Sequence, residues 1–216
     1  QGRRGDLIVD AGYVALPIAL VVGIYVVLGS LIGALRHVSV LVTSARYGLF
    51  TIPILLAVST AALINAFVTH DFSVKYVAEN SNLAMPFNYT WVAFYAGNAG
   101  SLLFIALVFS MISVIAVRHM STRIPRTTPY STAIIAIILS FFLGVTVFLA
   151  NPLEQLEVAP LDGRGINPLL VHFGMFIHPP MQMTGLVSVA LPFSIAMGAL
   201  LSGRGGRDEW VDVGRL

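Results

Sequence analysis

Five histidines, His37, His70, His119, His172 and His178, are the side chains here best suited to hold a metal or move a proton. Imidazole titrates near neutrality, and its neutral form is the commonest metal ligand. Cysteine is absent, which excludes a thiolate metal centre and any disulfide framework. There is no nucleophile elbow, no phosphate-binding glycine loop and no pair of carboxylates within an apolar run. His37 and His119 each neighbour an arginine and read as members of basic clusters. His70 stands beside Asp71 at the end of an apolar run, where the helix dipole favours a histidine. His172 lies in "NPLLVHFGMFIHPP", a stretch suited to a short helix flat in the membrane interface, facing headgroups.

His178 has a different setting. Pro179 and Pro180 follow it, and both suit the first turn of a helix because proline has no amide hydrogen to leave unpaired. Proline also disfavours helical angles in the residue before it. His178 is therefore expected to be a stiff, non-helical residue at the edge of the following apolar run. On these residues alone an interfacial histidine without a partner is a better reading than a metal ligand. Met175, Met181 and Met183 are candidate thioether ligands, but soft packing explains them better.

The elements that must position these residues are membrane spans. Hydrophobic residues make up 57% of the 216-residue chain and charged residues only 10%, far below the quarter or so of a soluble domain. Five charge-free gaps each exceed the ~20 residues a spanning helix needs. An all-α integral membrane protein follows, a single transmembrane domain with spans near 12–35, 47–68, 100–117, 131–150 and 180–201. Residues 71–97 and 151–179 form two longer external segments containing short interfacial helices. Pro125 and Pro129 separate the third span from the fourth, and Pro192 predicts a kink within the fifth. The first span is longer than a signal-peptide core and reads as a retained helix.

Arg36, Arg46, Arg118, Arg123, Arg126, Arg204, Arg207 and Arg215 fall on one side of this topology. Arg3, Arg4, Lys75 and Arg164 fall on the other, with Asp71, Glu79, Glu154, Glu157 and Asp162. By the positive-inside bias the arginine-rich side is cytoplasmic and the two long segments are external. Membrane lipid is an expected partner, and no feature points to nucleic acid.

Two stretches together resemble one family. "DFSVKYVAENSNLAMPFNYTWVAFYAGNAGSLLF", from Asp71, and "NPLEQLEVAPLDGRGINPLLVHFGMFIHPPMQMTG", from Asn151, are similar in order and spacing to cytochrome c maturation haem lyases of the CcmF type. The likeness covers about Tyr47 to Arg207. It implies a multi-pass protein of the bacterial inner membrane, with its external segments periplasmic. Such a protein takes haem b from a haem chaperone and attaches its vinyl groups to the cysteines of an apocytochrome c kept reduced by thiol-reducing maturation subunits. Carried over, His178 corresponds to an external histidine that is an axial ligand of the haem iron. The chain departs from the family at "YAGNAGSLLF", where the usual motif has a histidine, an acid and two tryptophans. The expected tryptophan-rich loop and second external histidine lie beyond Leu216, so a remaining haem lyase segment or subunit is an implied partner. A truncated sequence, a split amino-terminal subunit and a divergent relative stay open. So do two other functions, a haem-transport permease component and a non-catalytic assembly subunit.

Overall fold

The computed structural model describes residues 2–206 and 209–214, the side chains of residues 2–6 and 209 excepted. The side chains of Arg3, Arg4, Arg207 and Arg215, assigned above to the two sides, lie outside the described residues. The regular elements of the described residues are α-helices and short 3₁₀ turns: α1 (Gly2–Leu35), α2 (Ser39–Val68), α3 (Lys75–Asn80), α4 (Tyr89–Ala96), α5 (Asn98–Arg123), α6 (Thr128–Phe148), α7 (His178–Ser188), α8 (Ala190–Leu201) and α9 (Glu209–Gly214). Five segments are long and apolar enough to cross a bilayer: Leu7–Leu35, Ser39–Val68, Asn98–Arg123, Thr128–Phe148 and Phe173–Leu201. Large apolar side chains on their outward faces, such as Val21, Ile54, Ile115 and Phe141, are exposed. That is how a span meets lipid rather than water.

The observed helices outrun the expected spans. α2 begins at Ser39 rather than Tyr47, and α5 continues to Arg123 rather than Val117. Charge bounds the hydrocarbon region, but it does not end a helix. The Arg46 guanidinium lies 5.9 Å from the Tyr47 ring centre and that of Arg118 lies 5.2 Å from the Phe50 ring centre, so long basic side chains stay on the helix and stack on rings near its end. The basic loops shrink accordingly to residues 36–38 and 124–127.

α1 packs most extensively on α2, and α6 closes against α1, α5 and α8. Small residues allow the approach: Ser59 Oγ donates to the Gly12 carbonyl at 2.8 Å, and Gly198 of α8 sits against Ser131 of α6. Close approach of this kind replaces the missing hydrophobic drive between helices in lipid. α1 ends with the Val38 amide donating to Gly33 O at 2.9 Å, around His37 in the left-handed region (φ 56°). α2 ends the same way, with the Asp71 amide donating to Ala66 O at 2.9 Å around His70 (φ 51°). Histidine thus takes the seat that glycine usually fills in a Schellman cap. His70 caps α2 as expected, although its Nδ1 is buried without a hydrogen-bond partner.

The fifth span breaks at Val189 into α7 and α8. Pro192 has no amide hydrogen for the Ser188 carbonyl, and its ring crowds that carbonyl, which is the expected kink. Two expectations need correction. Residues 168–176 form no single continuous helix; they form 3₁₀ turns at Pro168–Leu170 and Phe173–Phe176, with extended His172 between them. His178 is also not outside the helix. It is the first residue of α7, inside a turn closed by the Met181 amide donating to Ile177 O at 3.2 Å. The preference of a pre-proline residue is a bias, and the bond across the first turn outweighs it here.

Candidate functional site

The two long segments lie together at the end of the bundle opposite the arginines. Residue Val74 pairs with Gln155 in a single antiparallel bridge. The Lys75 amide donates to Glu154 O at 2.9 Å, and the Leu156 amide to Ser73 O at 2.7 Å. A little further on, the amides of Arg164 and Gly165 donate to Ala78 O and Ser81 O at 2.8 and 3.0 Å. The Leu83 amide donates to Asp162 Oδ1 at 2.9 Å. The carbonyls left open at the end of short α3 are thereby satisfied by the other segment. The stretches "DFSVKYVAENSN" and "LDGRG" are therefore two halves of one folded layer.

That layer rests on a tyrosine. Tyr76 is buried, and its hydroxyl accepts from the Gly97 amide at 2.9 Å while lying within 3.3 Å of the Ala93, Phe94 and Gly97 carbonyls. Gly97 is extended and breaks the chain between α4 and α5. Burial pushes the Tyr76 hydroxyl up to about 12. Desolvation opposes the phenolate and outweighs the amides that favour it. Trp91, Phe94, Tyr95 and Phe104 form a ring cluster with centroids 5.6 to 6.5 Å apart.

α4 in turn holds the segment that carries His178. Tyr95 Oη donates to Met175 O at 2.7 Å, and the Tyr89 and Phe176 rings stand 5.5 Å apart. Burial pushes the Tyr95 hydroxyl up to about 12 as well. His172 is turned inward on itself, its Nδ1 accepting from the Gly174 amide at 3.0 Å. Met175 and Met183 pack against the core, as expected of soft filler, whereas Met181 is exposed. His178 is exposed and its imidazole has no hydrogen bond or ion pair among the described residues. Phe173, Ile177 and Met181 around it are 73%, 56% and 69% exposed. A free imidazole therefore stands on an apolar strip at one end of the bundle. His37 and His119 lie at the other end and His172 is engaged. Among the described residues no three His, Asp or Glu side chains gather as a metal cluster.

Tyr76 and Tyr95 were missed as positioning residues. The only signal was positional, since Tyr95 opens the stretch "YAGNAGSLLF" singled out above. Asn98, which stands at the motif's histidine position, is exposed at the first residue of α5.

Fold and site define a multi-pass helical membrane protein with a folded layer on one face and an unpaired histidine at its edge. The sequence matches the family model described as cytochrome C assembly protein over residues 95–210, more than half of the chain. The chain belongs to that family. It is 35% identical over 201 residues to cytochrome c-type biogenesis protein Ccl1 of Rhodobacter capsulatus, covering 92% of this chain and 30% of that protein. It is 36% identical over 192 residues to cytochrome c-type biogenesis protein CcmF of Escherichia coli, covering 88% and 29%. A solved structure of the cytochrome c haem lyase CcmF superposes with a TM-score of 0.81 at 25% identity, covering 96% of this chain and 32% of that one. The chain thus spans about a third of the length of its relatives.

Proposed function

We propose that this chain forms the haem-positioning part of a cytochrome c haem lyase, with His178 as one axial ligand of haem b. One observation carries the reading: His178 is the histidine at the folded-layer end with an unengaged, exposed imidazole, and its segment is tethered to α4 through Tyr95 and Met175. The donor chemistry fits haem iron, which accepts a neutral imidazole. The exposed Phe173, Ile177 and Met181 fit the apolar rim of a porphyrin.

In this reading α7 begins at His178 so that the imidazole is carried on a helix start stiffened by two prolines. The Tyr95 bond fixes the height of the 173–177 turn and hence the direction of the imidazole. The apolar neighbours exclude water from the ligand. Haem b, when bound, supplies the vinyl groups that receive the cysteine thiols of apocytochrome c. The protein contributes position, which removes orientational freedom before the thiols arrive. A haem chaperone delivers the cofactor, thiol-reducing subunits keep the cysteines reduced, and a further haem lyase segment or subunit supplies the second ligand. The arginine-rich end faces the cytoplasm and the folded layer the periplasm of a bacterial inner membrane.

The test compares haem absorption spectra of the wild type and His178→Ala, each together with the remaining lyase segment. Loss of the low-spin spectrum in the variant is expected, and equal spectra would remove the assignment. A second reading, an assembly subunit that no longer binds haem, rests on Asn98 and Ala99 in place of the motif's histidine and acid. Normal cytochrome c maturation in cells carrying only His178→Ala would favour it.

A further inference from the structure

At the arginine end, four helix ends border an open concavity of about 620 Å³. It is bounded by the end of α1, the start of α2, the start of α6 and the end of α8. Arg126 and Arg204, 78 residues apart in sequence, both line it, and among the described residues no acidic one does. Neither guanidinium has a hydrogen bond, ion pair or ring contact among the described residues. Tyr130, Ser39 and His37 also line the cavity, and their side chains have no partner among the described residues. At its edge Thr127 and Ser202 pair their hydroxyls at 3.3 Å, tying the start of α6 to the end of α8.

Arg126 is exposed and Arg204 half-buried, and the two differ from scattered basic loop residues in lining one concavity. Here arginines of two loops line one concavity together with several donor side chains, and none of its described lining residues is an acid. A volume of this size lies within the range of small-ligand sites, roughly 300–1,000 Å³. The planar guanidinium fork can donate to two oxygens of a tetrahedral phosphate at once, and charge-assisted bonds of this kind are the strong ones. The amides of Ser39 and Val40 at the start of α2 have no acceptor among the described residues, and they add to the same field. The cavity and the two unpaired guanidiniums carry the argument. Its mouth stands where four apolar spans end, at Leu35, Ser39, Thr128 and Leu201. Helix ends of this kind, flanked by arginines beyond apolar spans, suit the headgroup region in which lipid phosphates lie. We infer that this cavity is a binding site for a phosphate anion, presented by an anionic phospholipid headgroup.

The test uses the protein purified from its membrane with its associated subunits in neutral detergent, reading Tm against added phosphatidylglycerol, phosphatidylcholine, inorganic phosphate and chloride. Phosphatidylglycerol should raise the wild-type Tm more than phosphatidylcholine does. The double variant Arg126→Gln, Arg204→Gln should lose the response, with apparent affinity falling about tenfold or more. Arg36→Gln, at the same end but outside the cavity, should keep it. Ser39→Asp should raise the Tm without lipid and abolish the phosphatidylglycerol response, because a carboxylate then occupies the site. This readout stands even if the double variant does not fold. A response to inorganic phosphate equal to that of the lipid supports the same site with free phosphate as its ligand. An undiminished phosphatidylglycerol preference in the double variant or in Ser39→Asp overturns the inference. So does an equal loss in Arg36→Gln, or no response to phosphate in either form.

Discussion

The hydroxyl of Tyr95 donates to the backbone carbonyl of Met175 at 2.7 Å, across 80 residues of chain. This bond joins the short helix before the third span to the turn just ahead of His178, so a residue of one external segment sets the position of a residue of the other. Tyr95→Phe should therefore cost about 1–3 kcal/mol, since it leaves the Met175 carbonyl without its partner. A lowered Tm with reduced haem occupancy is the expected result. An unchanged occupancy would show that the tether does not matter to the ligand.

Tyr76 and Tyr95 share an alkaline liability. Their hydroxyls are pushed up to about 12 in the folded protein, against 10.0 when unfolded. Between these values the folded state keeps protons that the unfolded state loses, so their contribution is complete below pH 10 and falls as pH rises towards 12. Tm should decline across that window. A tyrosinate absorbance titration should show two late-ionising groups, one of which disappears in Tyr76→Phe.

Gly100 is the tightest point between α4 and α5. A Cβ there would lie 1.7 Å from the Phe94 carbonyl oxygen and 2.6 Å from the Tyr76 hydroxyl. The obstacle is backbone and cannot swing away, so Gly100→Ala should destabilise by roughly 3 kcal/mol or more. Gly144 in α6 has nothing within 4 Å of the same position. Gly144→Ala should be neutral or stabilising by up to about 1 kcal/mol, because alanine is the better helix former. Thermal unfolding of the two variants side by side separates packing from a general intolerance of change.

The two long segments also meet through an exposed ion pair, Lys75 Nζ to Glu154 Oε2 at 3.1 Å. Its side chains are 43% and 56% exposed, so water screens it, and Lys75→Gln should cost no more than about 1 kcal/mol. The backbone bridge beside it matters more. Leu156→Pro removes the donor to Ser73 O and should cost about 2 kcal/mol or more. Protease cleavage of the 151–177 segment should rise sharply in the proline variant and hardly at all in Lys75→Gln.

The spans were legible in the sequence because hydrocarbon tolerates no charge, and a charge-free gap of sufficient length leaves the backbone only a helix. The kink at Pro192 and the break at Pro125 were legible for the same local reason, a missing amide hydrogen. Helix ends were read less well. Arg46 and Arg118 looked like boundaries, yet each stays helical by stacking on a ring, Tyr47 and Phe50, and the latter is 68 residues from Arg118. At His178 the local proline rule was outweighed by one hydrogen bond across the first turn.

By itself the sequence determined that this is an all-α protein with five spans, an arginine-rich end and two long segments opposite it, since these follow from charge and hydropathy read along the chain. It also contained the motifs that tie the chain to its family. Only the tertiary structure decided that the motifs form one layer, that Tyr76 and Tyr95 support it, that His172 is engaged while His178 is free, and that Arg126 and Arg204 share a cavity. Each of these depends on which backbone amide meets which distant carbonyl, or which loop meets which. Local preference does not encode such meetings; they arise when helices with small residues at their contacts pack and bring remote ends together.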